Sequence, residues 1–279
     1  MSETLAAESP TLEQTGRNRH GSFIWYELLT SDPDAAARFY GDVIGWTADS
    51  GQADVDYRIF SADGTGVAGH MTLPKGAAEA GMRPVWLGYI GVDDVDRAVE
   101  GATRAGGAVH MPAMDIDGVG RIAMVADPQG ISFYVMRGAV DRASTSFAAT
   151  MQPGHCCWNE LATTDPDAAL AFYAGQFGWG KGDAMPMGAL GEYRFINHHG
   201  GMIGAVMRNP ANGPPPLWHF YFAVPDIDQT AARVSAGGGA VHQGPSEIPG
   251  GDFMIVATDP QGALFGAVGP RKQNHGEKE

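Results

Sequence analysis

Two glutamates hold matched places in a phrase that the chain writes twice. Glu27 lies in "FIWYELLTSDPDAAARFY" (Phe23–Tyr40) and Glu160 in "CCWNELATTDPDAALAFY" (Cys156–Tyr173). A tryptophan, Trp25 or Trp158, precedes each glutamate by two residues. Strand alternation puts that pair on one face. A carboxylate can take and return a proton, and a buried one needs a partner. Recurrence in both halves favours a role in forming a site. Among the imidazoles, His70 and His219 fall on strands, whereas His110 and His242 sit at matching turns and read as structural. His198 and His199, in "NHHGG", are expected at an exposed hairpin tip. Cys156 is expected on the face of Trp158 and Glu160. No His–Cys spacing signals a nucleophile, and no glycine-rich phosphate loop or dinucleotide fingerprint is present.

The elements that must position these groups come in two copies. Trp25/Trp158, Glu27/Glu160, Asp32/Asp165, Tyr40/Tyr173 and Trp46/Trp179 are each 133 residues apart (165 − 32). Trp86/Trp218, His110/His242 and Asp127/Asp259 are 132 apart (259 − 127). The chain therefore reads as a tandem duplication. Residues 20–137 and 154–270 are the two domains, 138–153 the linker, and 1–19 and 271–279 solvated tails. Alternating segments such as "FIWYELLT" predict strands. "SDPDAAARFYGDVIGW" predicts a helix, with Asp at the cap, Pro just inside and Gly45 at the stop. The order strand, helix, three strands occurs four times, giving an α+β protein of four βαβββ units. Trp46 and Trp179 read as core.

Composition narrows the class. The 279 residues are 44% hydrophobic and 18% charged, as in a globular protein. The 40 glycines are about twice the usual share and mark turns between short strands. A formal charge of −14 argues against nucleic acid, which needs an excess of Lys and Arg. No segment is long and apolar enough to span a bilayer, and the first residues lack a signal-peptide pattern. Adjacent Cys156 and Cys157 disfavour a structural disulfide. The expectation is a cytoplasmic monomer or homodimer with a small-molecule substrate.

The order of motifs resembles the vicinal oxygen chelate superfamily, which includes glyoxalase, bleomycin-resistance proteins and extradiol dioxygenases. The matching motifs are (S/T)DPDAA–FY–GW at Asp32–Trp46 and Asp165–Trp179, V-x-D-(V/I)-D at Val92–Asp96 and Val224–Asp228, and DPQG at Asp127–Gly130 and Asp259–Gly262. In particular the chain is similar to tandem glyoxalase-like proteins often labelled hydroxylases. The resemblance implies two curved half-barrel sheets, each enclosing a cup, with helices on the outer face. It also implies a divalent metal, Zn, Ni, Fe, Mn or Co, held by strand residues, with lyase, dioxygenase or hydrolase chemistry.

The family's first ligand position holds Trp25 and Trp158, neither of which binds a metal. Glu27 and Glu160, one pleat further on, are candidates in its place. The third position holds Leu87 and His219, the fourth Tyr134 and Gly266, and the second aligns with His70 and Ala205. Pairing of units within halves would give Glu27 with His70, and Glu160 with His219. Pairing across halves would collect Glu27, His70 and His219 as a metal site. Trp25, Trp158, Tyr134 and Tyr221 are the expected substrate-binding residues, and Glu27 and Glu160 the expected acid/base residues. Two functions follow: a glyoxalase-like enzyme acting on adjacent oxygens by metal-assisted or Glu-based chemistry, or a metal-free protein that sequesters an aromatic ligand.

Overall fold

A computed structural model describes residues 16–49, 56–79, 81–210, 213 and 215–272. Of the expected tails, residues 1–15 and 273–279 lie outside the described residues. The rest of the first tail is tied to the linker: Arg17 pairs with Asp141 at 2.9 Å and the Ser144 backbone N–H donates to Asn18 Oδ1 at 2.6 Å.

The four units are visible in element order. The first is β1 (Phe23–Thr30), α1 (Pro33–Ile44), β2 (Thr47–Ala48), β3 (Tyr57–Ala62) and β4 (Thr65–Thr72). The second is β5 (Val85–Gly91), α2 (Val95–Arg104), β6 (Ala108–Ile116), β7 (Gly120–Ala126) and β8 (Ser132–Gly138). The second half repeats them as β9 (Cys156–Thr163), α3 (Pro166–Phe177), β10 (Gly180–Pro186), β11 (Glu192–His198), β12 (Gly201–Arg208), β13 (Leu217–Ala223), α4 (Ile227–Ala236), β14 (Ala240–Glu247), β15 (Phe253–Thr258) and β16 (Leu264–Gly269).

Each helix starts for the same local reason. The carboxylates of Asp32, Asp94, Asp165 and Asp226 accept from the N–H three residues on, filling a donor that a helix start otherwise leaves empty. Pro33 and Pro166 occupy the first turn, where a missing N–H costs nothing. The helices α1 and α3 stop on left-handed glycines, Gly45 (φ 92°) and Gly178 (φ 70°).

Units pair within halves. The first sheet runs β2-β3-β4-β1-β5-β8-β7-β6 and the second β10-β11-β12-β9-β13-β16-β15-β14. In each, the first strands of the two units meet antiparallel (β1 with β5, β9 with β13), and the flanking strands β4, β8, β12 and β16 join in parallel. One face of each sheet lines a cup and the other carries the helices.

The helix-bearing faces of the two sheets share one core. Phe23, Tyr26, Tyr40, Trp46 and Trp86 from the first half pack with Trp179, Trp218, Phe220, Phe222 and Phe265 from the second. The polar atoms inside it are exchanged between halves. The Tyr40 hydroxyl donates to Asp259 Oδ2 at 3.1 Å, and Tyr173 to Asp127 Oδ2 at 3.2 Å. Trp86 and Trp218 donate in turn to those two phenols. The DPQG turns are thus receptors for the other half's helix, with the second oxygen of each Asp held by backbone N–H groups of its own turn. Trp46 and Trp179, both buried as the pattern predicts, donate to Gly154 O and Gly21 O across the seam. Gly154 is needed there, since a Cβ on it would lie 2.6 Å from Ala62 Cβ.

Candidate functional site

Strand alternation sends Tyr26 and Leu28 to the shared core and Glu27 and Leu29 to the cup. In the first cup Glu27 is 2% exposed. The Tyr89 hydroxyl, one strand over, donates to its Oε2 at 2.7 Å. Burial raises the Glu27 carboxyl above its ordinary range, and the surrounding phenols of Tyr89, Tyr134 and Tyr57 pull it back. Its Oε1 has no hydrogen-bond partner. Trp25 Nε1 donates to the Tyr57 hydroxyl at 2.7 Å, and Tyr89 stacks on Tyr134 with centroids 4.2 Å apart.

The second cup repeats the frame and changes two members. Trp158 Nε1 donates to the Tyr193 hydroxyl and Tyr193 to Glu160 Oε2, both at 2.7 Å. Tyr221 donates to Glu160 Oε1 at 3.2 Å. Where the first cup pairs Glu27 with Leu87 across the strands, the second pairs Glu160 with His219. Their side chains approach to 3.8 Å between Oε1 and Nδ1, and His219 Nε2 has no partner. Where the first cup has Tyr134 beside Tyr89, the second has Gly266 beside Tyr221, and the Tyr221 ring occupies the space a Cβ would need. The second carboxylate therefore faces an imidazole and is partly exposed, whereas the first is closed in by phenols and leucine.

Glu27, Trp25 and Tyr134 come together in one cup, and Glu160, Trp158, Tyr221 and His219 in the other. The two tryptophans stand in separate sheets. The structure does not bring His70 to Glu27. His70 pairs in register with Leu28, and Gly69 faces Glu27. Its ring stacks on Phe60 at 4.0 Å on the helix side, fully buried, with both ring nitrogens unpartnered. Burial, then the nearby Arg58 guanidinium, pushes its pKa down to about 4. Gly69 and Ala205 are the true equivalents, each opposite its glutamate.

Cys156, expected on the face of Trp158 and Glu160, is not there, because a register shift between Tyr221 and Phe222 breaks the alternation at the start of β9. Cys156 joins the shared core, where burial pushes its thiol up to about 12, and Cys157 lies on the cup side. His110 and His242, expected at turns, lie instead on β6 and β14, where they bond to the Ser132 and Thr258 hydroxyls. His198, expected at an exposed tip, is partly buried against the His20 carbonyl.

The sequence pattern does not single out Tyr57, Tyr193 and Tyr89. Tyr89 had a signal, being the mate of Tyr221 (221 − 89 = 132). Tyr57 and Tyr193 are 136 apart (193 − 57) and escape the common offset.

The donor set falls short of a metal centre. Glu27, His70 and His219 do not converge, since Glu27 and His219 belong to different sheets and His70 to the opposite face. Among the described residues no three His, Cys, Asp or Glu groups converge on a point that could hold an ion, while a catalytic zinc-type site uses three protein ligands. Glu160 and His219 supply two.

These two cups on paired βαβββ units define a class. The chain belongs to the Glyoxalase/Bleomycin resistance protein/Dioxygenase superfamily, which it matches over residues 22–135 and 152–266. It is 39% identical over 261 residues to a protein named "Putative glyoxylase CFP32" from Mycobacterium tuberculosis, covering 91% of this chain and 97% of that one. It is 33% identical over 267 residues to the anthracycline biosynthesis protein DnrV of Streptomyces peucetius, covering 89% and 93%. Two solved structures share the fold at low identity. One is the Mn(II)-bound glyoxalase of Novosphingobium aromaticivorans (TM-score 0.60, 18% identity, 92% of this chain and 84% of that one). The other is homoprotocatechuate 2,3-dioxygenase of Brevibacterium fuscum with 3,4-dihydroxyphenylacetate (0.64, 15%, 97% and 86%). No helix among the described residues is long and apolar enough to cross a membrane.

Proposed function

We propose that the second cup is a catalytic site of small-molecule metabolism, acting by glutamate acid/base chemistry on a compact substrate with adjacent oxygens. The observation that carries this reading is the Glu160–His219 pair, opposed across two strands with the imidazole's far nitrogen unpartnered. In this reading Glu160 takes a proton from a carbon beside a carbonyl. His219 Nε2 binds the oxygen on which negative charge develops. Tyr193 and Tyr221 donate to the two oxygens of the carboxylate and fix its orientation. Return of the proton to the carbonyl carbon, with the neighbouring hydroxyl's proton passing to the former carbonyl oxygen, completes an isomerisation that needs no oxidant. No step is routed through a metal, because the donor set does not fit one. The relatives named as a glyoxylase and as anthracycline biosynthesis proteins support a substrate drawn from oxygen-rich small molecules.

Solvent deuterium uptake beside the carbonyl of methylglyoxal and dihydroxyacetone, followed by proton NMR, tests the assignment. Glu160→Gln is expected to slow exchange by about a hundredfold and His219→Ala to slow it as well, while Glu27→Gln leaves it intact. Unchanged exchange in Glu160→Gln would sink the assignment. No exchange in the intact protein, with Trp158 fluorescence quenched by aromatic ligands, would replace the enzyme by a binding protein.

A further inference from the structure

We propose that Trp158 is a positioning residue for the acid/base step at Glu160. Acting through Tyr193, it commits Oε2 of the carboxylate to accepting a hydrogen bond and leaves Oε1 to take and return the proton. The inference rests on the reading of the second cup as catalytic. It begins with two side chains on one strand. Trp158 and Glu160 are two residues apart on β9 and share its cup face. A third side chain joins them from β11. Tyr193 reaches Glu160 across β12, where the residue opposite Glu160 is the small Ala205.

The links between them have a fixed direction. An indole N–H donates and accepts nothing, whereas a phenol can do either. Trp158 Nε1 donates to the Tyr193 oxygen at 2.7 Å, so the Tyr193 hydroxyl proton is left to point at Glu160 Oε2, also at 2.7 Å. Phe195 packs edge-on against the indole, with centroids 5.9 Å apart, and steadies the ring that starts the chain. Hydrogen bonds in series polarise one another, so the first strengthens the second. Without the indole N–H the phenol regains its second role. It can then accept from a protonated carboxyl, and a proton taken from the substrate can come to rest on Oε2.

The other oxygen is placed for the chemistry. Oε1 receives the longer bond from Tyr221, at 3.2 Å, and lies 3.8 Å from His219 Nδ1. In the step, the substrate C–H bond breaks, its electron pair moves toward the carbonyl, and the proton forms an O–H bond with Oε1. That O–H bond breaks again when the proton returns to carbon. The proton is thus handled beside the imidazole that receives the developing charge.

Deuterium exchange into dihydroxyacetone, followed over a range of substrate concentrations, gives a maximal rate and a half-saturating concentration for each protein. Trp158→Phe keeps an apolar ring and loses the N–H. It is expected to lower the maximal rate about tenfold at an unchanged half-saturating concentration. Tyr193→Phe should lower the rate at least as far, and adding Trp158→Phe to it should cost nothing more, because the indole acts through the phenol. Trp158→Met reads the same loss and the same coupling should Trp158→Phe not fold. An unchanged maximal rate, a rise confined to the half-saturating concentration, or losses that add in the double variant would each overturn the proposal. With Glu160→Gln still slow, any of these leaves the catalytic reading standing. No exchange in the intact chain overturns that reading and the relay with it.

Discussion

At the scale of single residues, the two cups show how few changes separate a closed carboxyl from an accessible one. Leu87 against His219 and Tyr134 against Gly266 account for the difference around a common Trp–Tyr–Glu–Tyr frame. The glutamates and the lead tryptophans were legible because they repeat at one offset and alternate on one strand. The sequence aligns His70 with Ala205, whereas Gly69 holds that register, and a one-residue slip moves a side chain to the other face. Its burial makes a pH prediction. The folded pKa of about 4 lies below the ordinary 6.5, so the unfolded chain binds the proton first as pH falls. Stability linked to His70 is complete above pH 6.5 and is lost between there and about pH 4, by roughly 3 kcal/mol. Arg58, Asp34, Asp49 and Asp56 are the charges that act on it. Glu27, Asp127 and Asp259, raised by burial, lean the opposite way. The difference in melting temperature between the intact protein and His70→Phe, measured from pH 7.5 to 4.5, isolates the histidine. The gap should move in favour of His70→Phe as acid is added, and a pH-independent gap would contradict it.

At the scale of elements, helices were the most legible parts because their starts and stops are local. Asp at the cap, Pro in the first turn and Gly at the end suffice. What such signals cannot carry is where a helix docks. The hydroxyl of Tyr173 on α3 lands on Asp127 in the turn between β7 and β8, and that of Tyr40 on α1 on Asp259 between β15 and β16. These are pairings of 46 and 219 residues' separation, beyond the reach of any local pattern. Tyr173→Phe leaves Asp127 Oδ2 and Trp218 Nε1 without their partner, both buried. It is expected to cost about 2–3 kcal/mol, read from urea unfolding. A double-mutant cycle with Asp127→Asn should return a coupling energy well above experimental error. Additive effects would show that the bond is incidental.

At the scale of the whole molecule, sheet pairing within halves and core sharing between halves are separate facts. The first follows from β1 meeting β5 and β9 meeting β13. The second follows from the aromatic layer that both sheets contribute, with Phe23 packing on Trp179, Trp218 and Phe220. Duplication was plain from the sequence, but the choice between pairing schemes was not, because both bury the same apolar strands. A half produced alone would expose this layer. Residues 20–137 and 154–270 expressed separately should therefore aggregate or show no cooperative melt, whereas the full chain melts in one transition. Circular dichroism and gel filtration decide it, and two independently cooperative halves would refute a common core.

The crossed tyrosine–aspartate bonds have a consequence for how such a chain can change over generations. Each half's turn is shaped to receive the other half's helix, so a substitution in one copy must be answered in its twin. The cups carry no such reciprocal debt, and there His219 and Leu87, Gly266 and Tyr134 have parted company. The seam holds two copies in step while leaving their hollows free to specialise.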